Sequence, residues 1–543
     1  MSARVDYIVI GSGFGGSVSA MRLAEKGYSV LVIEKGKRWK SHDFPKSNWN
    51  VRQYLWWPAL RFFGFQKLSF FRDVFVISGV GVGGGSLVYA NTHMMPRDSF
   101  YENPRWAQIR NWKQTLAPFF EKAKVMLGSA RYLREHDEDR VLHEVAAEMG
   151  HADSYRAVDY VGVYLGDPKK PVDPYFNGLG PLRQGCTECA GCMVGCRHNA
   201  KNTLDKNYLW LAEHVFGVRV LAKNEVTRIE FGEGGYTVQT RSSTRWWPSR
   251  KKQVYQSKGL VVSGGVLGTL DLLLRQKHVL NTLPGLSDTL GENILTNSEM
   301  LSGVLAADRK LNHGLAIGTV FQPDESTSIE VCKFPDGSGA MMKLAVMAAG
   351  PGHPLVRTAK MLGNALAHPW NFLRSFFSIN PARHGVIFLI MQSLPNAMQM
   401  RLKRNWLGTR LSMKNTSGQP VPSYIPIGQE ALHRYAKKVN GVAHNAFSEV
   451  MFGLASTAHI LGGCPMGRTA EEGVVDDRFQ VHGYPDFYIL DGSIIPANLG
   501  VNPSLTITAL AEYAMDRVPV KPGYRGQTLE EKMQSLSDPT KGT

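Results

Sequence analysis

The sequence is poor in the features that mark membrane-spanning and disulfide-rich proteins. No apolar run approaches the roughly 18 residues that a transmembrane helix needs, and the 543 residues include only six cysteines. The first strand-like segment begins at Val5, which leaves no room for the apolar region of a signal peptide. We therefore expect a cytoplasmic protein with neither signal peptide nor transmembrane helix. A peripheral position on the inner face of the membrane and export by another route stay open.

Nucleic-acid-binding motifs are also missing, although the chain is basic. The formal net charge is +16 and the isoelectric point is near 9.4, yet no zinc-finger, helix-turn-helix or RNA-binding signature accompanies this charge. Basic residues instead mix with aromatic ones in residues 49–72 and 355–377. Such segments are typical of the surface of an anionic bilayer and equally of packing in a large core. We expect no nucleic-acid partner, and membrane-surface contact is an open alternative.

The chain begins with a dinucleotide-binding fingerprint. An apolar strand over residues 7–10 leads into Gly11, Gly13 and Gly16, and a helix-like segment and a second strand follow, ending at Glu34. The glycines of this G-x-G-x-x-G spacing allow a tight turn, close approach to a pyrophosphate and close helix–strand contact. The helix N-terminus would face that pyrophosphate, and the carboxylate after the second strand can accept hydrogen bonds from a ribose 2′-OH.

Further segments are typical of the same nucleotide-binding domain. Five glycines fall within residues 79–85, a run that lets backbone approach a flat ring or a phosphate closely. Residues 260–274 have the pattern of a strand, a Gly-Gly turn and a helix, residues 217–229 that of two strands around a loop, and residues 487–490 that of a strand. The sequence therefore predicts a parallel-sheet domain assembled from both ends and the middle of the chain.

These segments resemble the glucose–methanol–choline (GMC) family of flavin oxidoreductases over nearly the whole chain. The resemblance is carried by residues 11–16 with Glu34, 79–88, 263–274, 457–467 and 491–512. Within the family it points to the cholesterol oxidase branch, whose histidine-bearing and asparagine-bearing elements are similar to HILGGC and GVNPSLTITALAE. The chain departs from that branch at Ile460, where proline is usual, and at residues 89–91, where Tyr-Ala-Asn stands in place of Asn-Gly-Gly.

The resemblance implies an α/β fold, with an FAD-binding, Rossmann-like parallel-sheet domain and an interleaved α+β substrate domain. We expect the first domain to comprise residues 1–44, 217–304 and 480–522, the second to comprise residues 45–216 and 305–479, and residues 523–543 to form a polar, loosely attached tail. The implied cofactor is FAD. Its expected binding residues are Gly11, Gly13, Phe14, Gly15, Gly16, Glu34, Gly81, Gly83, Gly84, Ser86, Asn91, Val226, Asp491, Gly492, Asn502, Pro503 and Ser504.

Oxidation of an alcohol to a ketone needs a group that takes the hydroxyl proton while hydride moves to flavin N5. His459 is the leading candidate, because imidazole can accept or donate a proton near neutral pH; taken alone, a histidine among apolar residues is more often structural. By resemblance, His459 and Asn502 flank the reacting hydroxyl. Glu330 is a third candidate, because burial among apolar neighbours would raise its pKa. In the branch resembled, a glutamate in a similar strand shifts the steroid double bond, whereas a surface position at a strand edge is the alternative for Glu330.

Four cysteines, Cys186, Cys189, Cys192 and Cys196, lie in one run with the spacing C-x2-C-x2-C-x3-C. This is the spacing of bacterial ferredoxin loops, and part of it resembles a three-cysteine element of iron–sulfur dehydrogenases in the same flavin family. Zinc is less favoured, because its cysteines usually come as two separated pairs. The run therefore predicts an iron–sulfur cluster, with zinc and unliganded thiols left open.

Together these features predict FAD-dependent oxidation of a lipophilic, steroid-like alcohol of the 3β-hydroxysteroid or cholesterol type to its ketone, followed by Δ5-to-Δ4 isomerisation if Glu330 carries a proton. The acceptor is O2, or a quinone or carrier protein reached through the cysteine run. One alternative is a long-chain alcohol dehydrogenase that uses an iron–sulfur relay. The other is a non-catalytic flavoprotein redox partner, against which the presence of both His459 and Asn502 argues.

Overall fold

The computed structural model describes residues 3–245, 252–406, 408–418 and 421–537. Its strands are β1 (Ala3–Ile10), β2 (Val30–Ile33), β3 (Trp56–Trp57), β4 (Phe62–Phe63), β5 (Gln66–Phe70), β6 (Val74–Gly79), β7 (Thr92–His93), β8 (Arg156–Ala157), β9 (Tyr160–Val161), β10 (Arg219–Leu221), β11 (Asn224–Gly232), β12 (Gly235–Ser242), β13 (Lys252–Val262), β14 (Met300–Ala306), β15 (Thr319–Phe321), β16 (Thr327–Cys332), β17 (Ala345–Met347), β18 (Gly385–Gln392), β19 (Met398–Asn405), β20 (Gly408–Asn415), β21 (Gly441–Ala446), β22 (Ala455–Thr457) and β23 (Phe487–Ile489).

Its helices are α1 (Phe14–Glu25), α2 (Val51–Tyr54), α3 (Asp98–Tyr101), α4 (Pro104–Ala107), α5 (Trp112–Met126), α6 (Asp137–Glu148), α7 (Tyr208–His214), α8 (Val266–His278), α9 (Pro354–Ala367), α10 (Pro369–Phe377), α11 (Pro381–His384), α12 (Pro426–Lys438), α13 (Phe447–Met451), α14 (Ser504–Asp516) and α15 (Leu529–Ser537). Within the described ranges, no helix has the length and apolarity that crossing a bilayer would require.

The first sheet confirms the predicted Rossmann-like domain. Its strand order is β10-β2-β1-β13-β12-β11, and β23 pairs along the end of β13. Strands β10, β2, β1, β13 and β23 run parallel, whereas β11, β12 and β13 pair antiparallel. Helix α1 connects β1 to β2, which is the strand–helix–strand unit of the fingerprint. The strands come from the beginning, the middle and the end of the chain.

Helix α1 is buried along its whole length, so it must be fixed by neighbours on every side. It packs against α14 and α7. Arg22 on α1 forms a buried ion pair with Glu512 on α14 at 2.8 Å, and the Tyr208 hydroxyl on α7 donates to the same carboxylate at 2.6 Å. A buried ion pair is tolerated only when its charged groups are well bonded. This pair therefore holds the helix whose N-terminus faces the fingerprint turn.

The second sheet is antiparallel, with the order β17-β21-β14-β18-β16-β15-β8. Helices α6 and α12 pack on it around a separate apolar core that includes Leu142, Phe388 and Leu432, as in the predicted α+β substrate domain. The expected domain boundary at residue 304 falls inside β14, a strand of this sheet. The two-domain division stays a prediction.

The tail differs from its predicted loose attachment. Helix α15 begins at Leu529, whose side chain is buried and whose backbone N–H donates to Glu25 Oε1 at 2.7 Å. Leu529 and the Glu25 carboxylate of α1 thus attach α15 to the rest of the protein. The polar composition of the segment gave no indication of these contacts. The expectation of a loose tail is therefore wrong for α15, residues 523–528 are exposed, and residues 538–543 lie outside the described residues.

Candidate active site

One cavity of about 1250 Å³ connects the fingerprint to helices α9 and α10. Its walls include residues 10–15 of the fingerprint, His459 and Asn502, and residues of α9 and α10 such as Leu362 and Phe376. Ordinary ligand pockets measure roughly 300–1,000 Å³. This cavity therefore has room for a dinucleotide and a substrate together.

The fingerprint turn is shaped for close approach of a ligand. A Cβ built on Gly13 would meet no protein atom within 4 Å, so this position faces open cavity. Gly11 has a φ of +94°, and a Cβ on Gly16 would lie 2.1 Å from the Gly11 carbonyl oxygen; both positions therefore require glycine. The first N–H groups of α1 lie beside this open space, which fits the pyrophosphate of FAD.

Most of the predicted cofactor residues line this cavity. They are Gly11, Gly13, Phe14, Gly15, Glu34, Gly84, Val226, Asp491, Gly492, Asn502, Pro503 and Ser504. These residues come from the ends of parallel strands and the start of α1, from the glycine-rich loop after β6, from β11 and from the start of α14. Their contacts with FAD stay a prediction that this shared lining supports.

The remaining predicted cofactor residues are outside the lining and have partners within the protein. They are Gly16, Gly81, Gly83, Ser86 and Asn91. The Ser86 hydroxyl donates to the Gly83 carbonyl at 2.6 Å, and the Asn91 amide donates to the Cys192 sulfur at 3.1 Å. Gly81 and Gly83 have φ values of +147° and +105°. Gly81, Gly83 and Ser86 thus shape the loop that carries Gly84, whereas Gly16 lies in α1 and Asn91 follows the loop.

Glu34 lines the cavity just after β2, where the fingerprint predicts it. Its Oε2 accepts hydrogen bonds from the Ser12 N–H at 3.2 Å and the Ser12 hydroxyl at 2.9 Å. Its Oε1 accepts from the Gly36 N–H at 2.7 Å. Because a carboxylate oxygen can accept more than one bond, Glu34 is held in place and keeps capacity for a ribose hydroxyl.

His459 lies two residues after β22, and 13% of its side chain is exposed. Its Nδ1 is 2.6 Å from Glu299 Oε1, and its Nε2 is 3.4 Å from Asn502 Nδ2. Burial by itself would lower the pKa of His459, but the carboxylates of Glu299 and Glu330 outweigh it and raise that pKa above its ordinary value. The ring thus has one nitrogen bound to a carboxylate and the other beside Asn502 and the cavity.

Glu330 lies on β16 and is fully buried, which contradicts the surface alternative. Among the described residues, neither of its carboxylate oxygens has a hydrogen-bond partner, and Asn502 Oδ1 also lacks one. Burial raises the pKa of Glu330 to about 7, although the nearby His459 ring and Asn502 amide lower it. Buried polar atoms without partners are uncommon. The structure therefore brings the three predicted catalytic residues together around unsatisfied polar atoms.

Glu299 belongs to this cluster and was missed by sequence reasoning. It directly precedes β14 and is fully buried. Besides its bond to the His459 ring, it accepts a hydrogen bond from the Ala458 N–H at 2.8 Å. The available signal was one acid after Thr-Asn-Ser, a pattern too common to distinguish a functional residue.

The four clustered cysteines line a second cavity of about 120 Å³. In the part of the chain that the structure describes, no group of three or more His, Cys, Asp or Glu side chains is arranged to hold a metal ion. The predicted iron–sulfur cluster, and the less favoured zinc site, therefore lack support from the side-chain geometry. Met193, however, lines the large cavity while its neighbours Cys192 and Val194 line the small one, so the two cavities share a wall.

The basic, aromatic segment at residues 355–377 forms α9 and α10 beside the large cavity. Met361, Leu362 and Phe376 line that cavity, whereas Leu366 and Trp370 are among the most exposed apolar side chains, Trp370 at 81%. In residues 49–72, by contrast, Tyr54, Trp56 and Phe65 are buried and other aromatic residues are exposed. Residues 355–377 therefore present a larger exposed apolar surface than residues 49–72.

The chain is similar to known proteins over most of its length. It matches two family models of GMC oxidoreductases, over residues 182–282 and 402–511, and a NAD(P)-binding Rossmann-like domain over residues 9–47. It is 40% identical over 541 residues to a cholesterol oxidase from Acinetobacter baumannii, covering 97% of this chain and 96% of that protein. It is 41% identical over 536 residues to a cholesterol oxidase from Mycobacterium tuberculosis, covering 96% and 92%.

Among solved structures, pyridoxine 4-oxidase from Mesorbium loti matches with a TM-score of 0.57 and 15% identity. The match covers 94% of this chain and 99% of that one. At 15% identity this similarity supports a shared fold and no more.

Proposed function

Because the chain belongs to the GMC oxidoreductase family and is an FAD-dependent alcohol oxidoreductase, we propose that it oxidises a lipophilic, steroid-like secondary alcohol to the ketone, with O2 as acceptor. The main support is that His459 and Asn502 line a cavity whose substrate side is largely apolar, with side chains such as Ile317, Phe334 and Met361. The relatives that are 40% and 41% identical are both named cholesterol oxidase, which favours a sterol as the substrate.

The residues of the site suit this reaction. FAD, when bound, supplies the hydride acceptor. His459 Nε2 accepts the hydroxyl proton as the carbinol hydride departs, and the Asn502 amide donates a hydrogen bond to the same oxygen. The apolar walls bind the hydrocarbon skeleton and exclude water, which strengthens both polar interactions.

Steady-state oxidation tests this function. We expect purified protein loaded with FAD to consume O2 and form peroxide with a 3β-hydroxysterol, and to do so more slowly with a short primary alcohol of equal concentration. Ketone formation is followed by chromatography. Turnover only with short or linear alcohols would contradict the steroid-like substrate, and turnover of no alcohol would favour a non-catalytic redox partner.

Glu330 gives a separate prediction about the product. We propose that its carboxylate carries a proton in a Δ5-to-Δ4 shift after oxidation, because it is buried beside Asn502 and its pKa is raised to about 7 by burial. The ionised form abstracts the proton, so the fraction of Δ4 product should rise as pH increases through about 7. Glu330→Gln should release mainly the Δ5 ketone, while the buried carboxamide Asn445→Asp, on β21, serves as a control for altered polarity in the same sheet. Equal Δ4 fractions in wild type and Glu330→Gln would exclude this role.

We also propose that α9 and α10 contact an anionic lipid bilayer from which the substrate is drawn. The exposed Leu366 and Trp370 accompany Lys360 and Arg374 on these helices, and the chain carries a net charge of +16. Apolar side chains beside basic ones bind such surfaces.

The pair of substitutions Trp370→Ser and Leu366→Ser should lower binding to phosphatidylglycerol vesicles about 10-fold, because two large side chains are no longer buried in lipid. Co-sedimentation measures the bound fraction, and FAD content reports the fold. Trp406→Ser is the matched control, since Trp406 is 89% exposed but lies in the β19–β20 turn. Equal loss in both proteins would argue against a specific helix surface.

A second candidate is a dehydrogenase that passes electrons through an iron–sulfur cluster to a quinone or carrier protein. The observation that favours it is the wall shared by the four-cysteine cavity and the large cavity. Protein purified without oxygen should then contain iron and acid-labile sulfide and show a broad absorbance besides the flavin bands. Cys192→Ser should remove that absorbance, and Cys464→Ser, at an isolated buried cysteine, should keep it. Flavin bands without iron would leave O2 as the acceptor.

A further inference from the structure

Resting on the proposed function, we infer that Glu299 is a positioning residue of the oxidation. It acts through His459: it fixes the ring, directs Nε2 to the cavity, and stabilises the imidazolium that forms when the substrate proton is taken. In this arrangement His459 is the base for the substrate hydroxyl, and Glu299 is the third group that orients the base.

The contacts of the carboxylate define the tautomer. Both oxygens of Glu299 bind one dipeptide: Oε2 accepts from the Ala458 N–H at 2.8 Å, and Oε1 lies 2.6 Å from His459 Nδ1. An ionised carboxylate only accepts hydrogen bonds, so Nδ1 carries the proton. In the neutral ring Nε2 is then the free base, and it is the nitrogen beside Asn502.

The backbone before Glu299 is held in an unfavourable conformation. Asn297 and Ser298 have φ values of +59° and +44°, a region that L-residues rarely adopt and that persists only where surroundings enforce it. Asn297 supplies that enforcement, since its amide donates to the Val501 carbonyl at 3.0 Å and its Oδ1 accepts from the Gly500 N–H at 2.8 Å. The segment carrying Glu299 is therefore bonded to the segment that carries Asn502.

The histidine segment is bonded to the same loop. The Thr457 hydroxyl donates to the Thr296 carbonyl at 2.9 Å and accepts from the His459 N–H at 2.9 Å. Three distant stretches of chain thus hold Glu299, His459 and Asn502 in one frame. Such a frame pre-organises the ring before substrate arrives.

The charges balance through the proposed step. The substrate O–H bond breaks, an N–H bond forms at Nε2, and the carbinol C–H bond breaks with loss of hydride, for which FAD, when bound, would be the acceptor. The titratable groups that act on His459 are Glu299 and Glu330, and Glu299 and Arg156 on β8 act in turn on Glu330. The imidazolium consequently forms beside a carboxylate already bonded to it.

Glu299→Gln separates this role from a structural one. We expect kcat to fall at least ~10-fold, because a carboxamide can select the wrong tautomer and does not neutralise the cation, while KM changes less. Since the carboxylate raises the pKa of His459, its removal should move the acid limb of the kcat/KM profile to lower pH. Glu299→Asp keeps the charge and should retain the wild-type limb more closely. A lower kcat with an unmoved acid limb would overturn the proposal, as would unchanged kcat.

Glu449→Gln is the matched control, because Glu449 is another fully buried carboxylate near β14 that bonds to the Leu301 N–H and not to His459. It should leave the acid limb in place. NMR titration of the His459 ring in wild type and Glu299→Gln needs no substrate, and the ring should titrate at lower pH in the variant. If that shift occurs while no alcohol is oxidised, the proposed function fails and the Glu299–His459 coupling stands.

Discussion

His459→Ala is expected to lower kcat by about 10²- to 10⁴-fold, which is the usual contribution of a positioned general base, while FAD stays bound. The reason is geometric. Nε2 lies beside Asn502 in the wall of the large cavity, and alanine leaves no group there to accept the hydroxyl proton. The fingerprint glycines and Glu34 belong to other segments, so the cofactor contacts are preserved.

Two measurements on the same sample test this expectation. The ratio of flavin absorbance to protein reports bound FAD, and peroxide formation with the preferred sterol reports turnover. His433→Ala is the control, since His433 is an exposed histidine on α12 outside the cavity, and both readouts should match wild type. Full activity in His459→Ala would contradict the assignment of His459 as the base. Loss of FAD would contradict the expectation that the cofactor stays bound, and the lower activity would then reflect the missing cofactor.

The dinucleotide-binding half of the fold could be predicted because its information is local. A strand, three spaced glycines, a helix and a terminal acid follow one another within residues 5–34, and each element has a physical reason visible in the sequence. The antiparallel sheet lacked such a signal. Its interior strand β14 pairs with β18 and β21, and pairing over such separations depends on tertiary packing that no local pattern encodes.

The candidate site divides in the same way. His459, Asn502 and Glu330 could be proposed from motifs, and the structure places them together. Glu299 could not, because its partner His459 lies 160 positions away and its role arises from a buried contact. The cysteine run is the opposite case, in which a clear sequence motif is not matched by the side-chain geometry. Its spacing predicts a metal cluster, yet spacing alone does not make thiols converge in the described structure.

Gly13→Val should give a folded protein that has lost most of its affinity for FAD. Gly13 has φ and ψ of −74° and −166°, extended backbone that valine adopts readily, and a Cβ there meets no protein atom within 4 Å. The new side chain would therefore occupy the open space where the pyrophosphate approaches the N-terminus of α1. A steric conflict worth roughly 1–3 kcal/mol corresponds to a loss of affinity of about 5- to 150-fold.

Thermal denaturation with and without added FAD distinguishes lost binding from lost folding. A ligand that binds the native state raises Tm by mass action, so FAD should raise the Tm of wild-type apoprotein and leave that of Gly13→Val almost unchanged. Gly232→Ala, at a β11 position where a Cβ also meets nothing within 4 Å, should keep the wild-type response.

Gly15→Ala should fail to fold, because its Cβ would lie 1.7 Å from the Leu490 carbonyl oxygen. Normal FAD binding by Gly13→Val would mean that the pyrophosphate does not approach this turn, and the cofactor would have to enter the cavity by another route.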